Sequence, residues 1–220
     1  MGRSRADVRS TYDKIAESYA AARTQPWPEV LDFINEVPAG DLVLDVGCGH
    51  GRHSRPLALT GHRVVGIDLS RRLLSIGKKS TTKSREFQTI EWLAGEATAL
   101  PFPNGIFDEA LSIAVLHHLP THEDRVRALE EMRRVLRAGG TAFVSVWSIE
   151  HPRIAELLGG RPKKPDVEIP WRLPDGSEVS RPYHLFREGE LGESVIESGL
   201  QGERFFGSEG NWFALAKAPG

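Results

Sequence analysis

The chain has 220 residues, 28 of them Lys or Arg and 30 Asp or Glu, for a formal net charge of −2. No run approaches the ~18 apolar residues of a membrane span, and the single cysteine, Cys48, leaves no intrachain disulfide and no cysteine-based zinc site. The size suits one globular domain, and no apolar stretch follows the basic MGRSRADVRS start, so a cytoplasmic protein without a secretory signal is expected.

Residues 7–22 place Val8, Tyr12, Ile15 and Tyr19 at helical spacing, which predicts an amphipathic helix. In the RTQPWPEV that follows, Pro26 and Pro28 hold the backbone extended. Trp27 between them is either a core plug or a platform for a flat ligand. EVLDFINEV (29–37) is a short second helix. Strands and helices then alternate: strand 42–47, helix 51–59, strand 63–70, helix 70–79, strand 89–95, strand 106–115, helix 123–136 and strand 141–147 after a turn at Ala138 to Gly140. Alternation of this kind predicts an α/β fold, a parallel sheet with helices on both faces.

Residues 159–181 are rich in Pro, Gly and charge, and Pro174 to Gly176 is a turn signal that would close a hairpin between EIPWRL and SEVSRPYHLF. A last helix within 187–200 and two strands within 203–218 complete the chain. The expectation is one domain over 1–220, with a helical cap at 1–40 and an insertion at 159–185 between strand 5 and the last helix.

Overall charge argues for no polyanionic partner, but its distribution is uneven. From Arg52 to Arg85 there are nine Lys or Arg (52, 55, 63, 71, 72, 78, 79, 83, 85) against Asp68 alone, a local +8. Such a stretch is either a solvated helix face or a phosphate-tracking surface.

LVLDVGCGHGRHS joins the first strand to a helix through Gly47, Gly49 and Gly51, preceded by Asp45. Glycines permit close backbone approach to a ligand, and the helix start offers unpaired N–H groups. A pyrophosphate would not favour the Asp45 carboxylate, whereas an amino group would. Asp68, 17 residues after Gly51, stands where an acid accepts two ribose hydroxyls. Cys48, His50 and His53 offer at most three ligands inside a loop already assigned, so no metal is expected.

This loop resembles the first motif of the class I S-adenosylmethionine methyltransferases. The resemblance implies a Rossmann-like, mostly parallel seven-stranded sheet and S-adenosyl-L-methionine as cofactor. It also implies that Glu96 or the Ala97 backbone meets the adenine's polar edge, and that Leu69 and Ala114 join the cofactor contacts.

The acceptor segment SIAVLHHLPTHED has no NPPY-like clamp for an exocyclic amine. A carboxylate acceptor needs no general base, because its pKa of ~4 leaves it ionised. YDKIAESYAAARTQPWPEV, DVGCGHGRH, SIAVLHHL, YHLFREGEL and GNWFALAKA together resemble the tRNA methyltransferase family that esterifies 5-carboxymethyluridine at the wobble position. The resemblance covers nearly the whole chain.

A carboxylate calls for a guanidinium, with Arg23 the first candidate and Arg187 the second. An extruded uracil calls for an aromatic face, which Trp27 could supply, with Tyr183, His184 and His117 completing the pocket. Lid packing for Trp27, strand packing for Tyr183 and His184, and helix capping for His117 stay open.

By the same resemblance a small zinc-binding activator protein adds a strand at an exposed edge, residues 87–93, and the basic stretch contacts the tRNA anticodon region. Two alternatives remain: a small-molecule methyltransferase for a quinone or fatty-acid-like acceptor, with Arg23 facing solvent, and a non-catalytic cofactor-binding partner whose cleft is blocked by the insertion.

Overall fold

Short apolar runs rich in Val, Leu and Ile, interrupted by single polar residues or glycine, form the centre of a seven-stranded sheet. The structure, a computed structural model, describes residues 5–220. β1 (Leu42–Val46) is flanked by β2 (Arg63–Asp68) and β4 (Phe107–Ile113), all parallel. β3 (Ile90–Ala94) forms one edge beside β2, and β5 (Leu136–Trp147) continues the sheet beyond β4. The antiparallel pair β8 (Gln201–Ser208) and β9 (Asn211–Lys217) closes the far side, for the order β3-β2-β1-β4-β5-β9-β8. Chain order reverses about β1, which opens a crevice at the carboxyl ends of β1, β2 and β4.

Helices cover both faces, as the buried central strands require. α2 (Pro28–Glu36) and α3 (Ser54–Leu59) pack on one face, where Phe33 stacks on Phe143 with centroids 4.7 Å apart. α5 (His122–Val135) and α7 (Glu190–Glu197) cover the other through Leu129, Met132, Leu191 and Val195. Pro28 opens α2, where its missing N–H costs nothing. The Thr121 hydroxyl caps α5 by accepting from Asp124 N at 3.0 Å. No helix among the described residues is long and apolar enough to cross a membrane.

Two elements lie outside this frame. α1 (Arg5–Ala22) lies against α4 (Arg71–Thr81), tied by Ser70 Oγ donating to Asp13 Oδ1 at 2.7 Å. β6 (Asp166–Arg172) and β7 (Glu178–His184) form the separate hairpin that the PDG turn predicts, with Gly176 at φ +85°. Trp171 of this hairpin donates its indole N–H to Ser18 Oγ at 2.9 Å, joining it to α1. Trp147, Ile154, Ile169, Tyr183 and Leu185 form the small core beneath it.

Three local expectations change. The third strand begins at Ile90, because Arg85–Phe87 form a 3₁₀ turn closed by Gln88 N donating to Arg85 O. The exposed edge is therefore Ile90–Ala94, shorter than 87–93. β5 begins at Leu136 and runs through Ala138 to Gly140. Gly139 takes φ +74° and Gly140 sits so close to the Asp108 carbonyl that a Cβ would lie 2.8 Å away, so the expected turn is a bulge within the strand. α6 (Pro152–Leu158) is an additional helix, whose seven residues carry too short a periodic pattern to register.

Candidate active site

The glycine loop after β1 is left-handed at all three positions: Gly47, Gly49 and Gly51 have φ of +72°, +58° and +81°. Space is as restrictive as the backbone. A Cβ on Gly47 would come 2.3 Å from Val115, and one on Gly51 would come 2.2 Å from the Trp92 ring. Trp92 reaches in from the edge strand and also lies over Gly77 of α4, so the edge of the sheet directly supports the loop.

Asp45 is buried at the end of β1 and accepts from Ser54 Oγ at 2.5 Å. Asp68, at the end of β2, accepts from Gly49 N and Ser70 N, each at 2.7 Å. Burial pushes both carboxyls up to about 6; the Ser54 hydrogen bond opposes the shift at Asp45, and the two backbone N–H groups oppose it at Asp68.

Leu69, Glu96, Ala97 and Ala114 line the same cleft, with Tyr12 and Tyr19 of α1 forming its roof. Ala114 has φ +60°, an uncommon conformation for a residue with a side chain, and its N–H donates to Ser145. The residues present fit S-adenosylmethionine. Gly47 and Gly51 leave room only for backbone, and each Asp68 oxygen keeps a lone pair for a ribose hydroxyl.

A second cavity of about 290 Å³ adjoins this cleft, sharing Tyr19, Arg52, Ala114 and His118 with it. Four of the expected acceptor residues, Arg23, Trp27, His117 and Tyr183, line it. Trp27 packs against the core and also lines this cavity. Its ring packs edge-on against His53 and Phe213 and bridges two core clusters, while it also walls the cavity beneath the Arg52 guanidinium at 5.3 Å. Arg23 is half-buried, with its guanidinium 5.8 Å from the Trp171 ring; burial lowers its pKa, although an arginine stays charged.

His184 and Arg187 do not line the cavity. His184 is held between Asp166 Oδ1 at 3.0 Å and Glu190 Oε1 at 2.5 Å, which makes it a strut between the hairpin and α7. Arg187 is exposed, and its backbone N–H donates to Glu190 Oε2. Among the described residues no group of His, Cys, Asp and Glu is arranged to hold a metal.

Sequence reasoning missed Tyr12, Tyr19, Trp147 and above all Arg181. Arg181 is 2% exposed, donates to the Tyr183 hydroxyl at 2.9 Å and lies over the Trp171 and Tyr183 rings at 4.8 and 5.2 Å. Burial opposes its charge, but the tyrosines around it more than offset that and leave its pKa raised. A signal was present: residues two apart on a strand share a face, so Tyr183 implies Arg181. His118 accepts from the Tyr12 hydroxyl at 2.8 Å, and burial, reinforced by Arg181, pushes it down to about 3. Burial likewise drives His117 well below the usual histidine value, with His118 and Arg181 adding to the effect, so both rings are neutral at physiological pH.

A glycine-lined cleft at the reversal point of a mostly parallel sheet, with an acid at the end of each of the first two strands, defines an S-adenosylmethionine-dependent methyltransferase of class I. Residues 44–144 match the methyltransferase domain family. The similarity to solved structures agrees: the S-adenosylmethionine-dependent methyltransferase from Methanosarcina mazei superposes with a TM-score of 0.71 at 22% identity, over 89% of this chain and 99% of that one. A chain of the complex between the Haloferax volcanii Trm112 methyltransferase activator and a methyltransferase superposes with a TM-score of 0.73 at 20% identity, over 97% of this chain and 98% of that one.

Among curated proteins, the tRNA (carboxymethyluridine(34)-5-O)-methyltransferase of Schizosaccharomyces pombe is 30% identical over 96% of this chain and 95% of its own. The Xenopus tropicalis protein of the same activity is 38% identical over 94% of this chain. This chain belongs to the tRNA (carboxymethyluridine(34)-5-O)-methyltransferase family. It spans 40% of the Xenopus protein and 20% of the mouse one.

Proposed function

We propose that this chain transfers the methyl group of S-adenosylmethionine to the carboxylate of 5-carboxymethyluridine at position 34 of tRNA. One observation carries the reading: a cavity lined by four arginines, Arg23, Arg52, Arg153 and Arg181, against two carboxylates, Glu29 and Glu209, and walled by the Trp27 and Tyr183 rings, adjoins the cofactor cleft at Ala114. That lining suits an anionic group on a flat base. It does not suit a quinone or fatty-acid-like acceptor, which calls for an apolar pocket, and the hairpin walls the cavity without filling it.

When bound, the cofactor supplies an electrophilic methyl carbon on a positively charged sulfur. The acceptor oxygen would form the new O–C bond with its own electron pair as the carbon–sulfur electrons passed to sulfur, so no residue of this chain would have to move a proton. The enzyme's work is then to position two partners and exclude water. This accounts for an acceptor cavity in which His117 and His118 lie far below the usual histidine pKa and are therefore weak bases.

The tRNA anticodon loop is the expected macromolecular substrate, with the basic stretch from Arg52 to Arg85 tracking its phosphates. A small zinc-binding activator would add a strand to β3, an edge strand whose Glu91, Leu93 and Ala94 are exposed; the similarity to the Haloferax complex chain supports an activator as partner. A cytoplasmic location is consistent with such a substrate.

The experiment is nucleoside mass spectrometry of tRNA from cells lacking the protein. Accumulation of unesterified carboxymethyluridine is expected; an unchanged ester level would overturn the reading.

A further inference from the structure

Two residues lining the acceptor cavity each keep one N–H without a hydrogen-bond partner. Arg181 lies 2% exposed with no carboxylate paired to it among the described residues, and its Nε–H is buried without a hydrogen-bond partner. A buried cation is ordinarily matched by a counter-charge, because desolvating it alone is costly. The tyrosines and Trp171 around it supply ring faces and a hydroxyl, but no formal negative charge.

His117 is the second donor. It is 1% exposed, and its Nδ1 accepts the Trp147 backbone N–H at 3.3 Å. That bond fixes the proton of the neutral ring on Nε2. Nε2 is buried and also lacks a partner. His117 stacks on Tyr183 with centroids 4.7 Å apart and planes 15° apart, while the Arg181 guanidinium lies over the same ring. Both line the cavity.

We propose that the Arg181 guanidinium and the Nε2–H of His117 together hold the acceptor carboxylate, with Arg23, half-exposed and farther out, left to the outer part of the nucleotide. The proposal rests on the carboxylate-methylating function above and assigns the charge recognition within it. One consequence is directional. Methylation turns the anion into a neutral ester, so the Arg181 charge loses its partner as the product forms, and the product is held less tightly than the substrate.

The test compares tRNA carrying carboxymethyluridine with the same tRNA carrying its neutral carbamoylmethyl analogue as a competitor, together with cofactor affinity by calorimetry and thermal melting. Wild type is expected to bind the acid more tightly than the amide by roughly 10- to 100-fold, the range of a charge-assisted hydrogen bond. Arg181→Gln removes that preference with cofactor affinity unchanged, and Arg181→Lys restores part of it, which keeps the test open if the Gln variant folds poorly. His117→Gln, whose amide N–H takes the place of Nε2–H, retains more of the preference than His117→Leu. Should Arg181→Gln keep the full preference while Arg23→Gln loses it, the assignment is wrong though the function stands. If wild type itself methylates no carboxymethyluridine, the underlying reading fails instead.

Discussion

The Tyr12 hydroxyl donates a 2.8 Å hydrogen bond to Nε2 of His118, joining a helix at the start of the chain to the loop that follows β4. Since His118 lines both the cofactor cleft and the acceptor cavity, this one bond helps to fix the wall between them. Tyr12→Phe leaves the His118 acceptor buried and unsatisfied, at a cost of about 1–3 kcal/mol. Calorimetry should show weaker cofactor binding by severalfold, and melting should fall modestly.

Gly51 is constrained by both backbone and space. Gly51→Ala should abolish cofactor binding, because its Cβ would collide with Trp92 at 2.2 Å and φ is +81°. Adding Trp92→Ala removes the collision but leaves the left-handed backbone, which costs about 1–2 kcal/mol for a residue with a Cβ. The double variant is expected to recover cofactor binding only in part; full recovery would mean that the glycine is a matter of space alone.

The pH dependence of cofactor binding follows from Asp45 and Asp68. Each folded carboxyl lies at about 6 against a usual 3.8, raised first by burial. Between those values the folded chain holds more protons than the unfolded one, so the stabilisation these groups contribute at low pH is lost as pH rises through about 6. Cofactor affinity runs the opposite way, since a ribose hydroxyl needs an ionised acceptor. Titrations from pH 5 to 8 should show affinity falling below about pH 6, and Asp68→Asn should flatten that fall.

His184 separates a structural role from a catalytic one. Held between Asp166 and Glu190, it joins the hairpin to α7. His184→Ala should lower stability by about 1–3 kcal/mol in urea melts, with kcat per folded molecule unchanged. A loss of kcat without loss of stability would place it back in the pocket.

The fold was largely legible because its signals are local. Short aliphatic runs, three glycines before a helix and a PDG turn each act over a few residues. The cofactor side was legible for the same reason: Asp45 through Gly51 is one continuous loop. The acceptor side was not. It is assembled from α1, the RTQPWPEV segment, the loop after β4 and the hairpin, and sequence spacing says nothing about how far apart those elements fold. Arg23 stood out by its neighbourhood of prolines and Trp27, whereas Arg181 looked like one more charge in a polar segment. Its importance comes from burial, which emerges only when Trp171, Tyr12 and Tyr19 close around it.

The chemical nature of the product tests the account most directly. With a tritiated methyl donor, an activator of the Trm112 kind and tRNA bearing carboxymethyluridine at position 34, the label should enter the tRNA and be released as methanol by mild alkali, as an ester requires. Label that resists alkali, or that enters equally well into tRNA lacking the carboxymethyl group, would contradict a carboxylate acceptor.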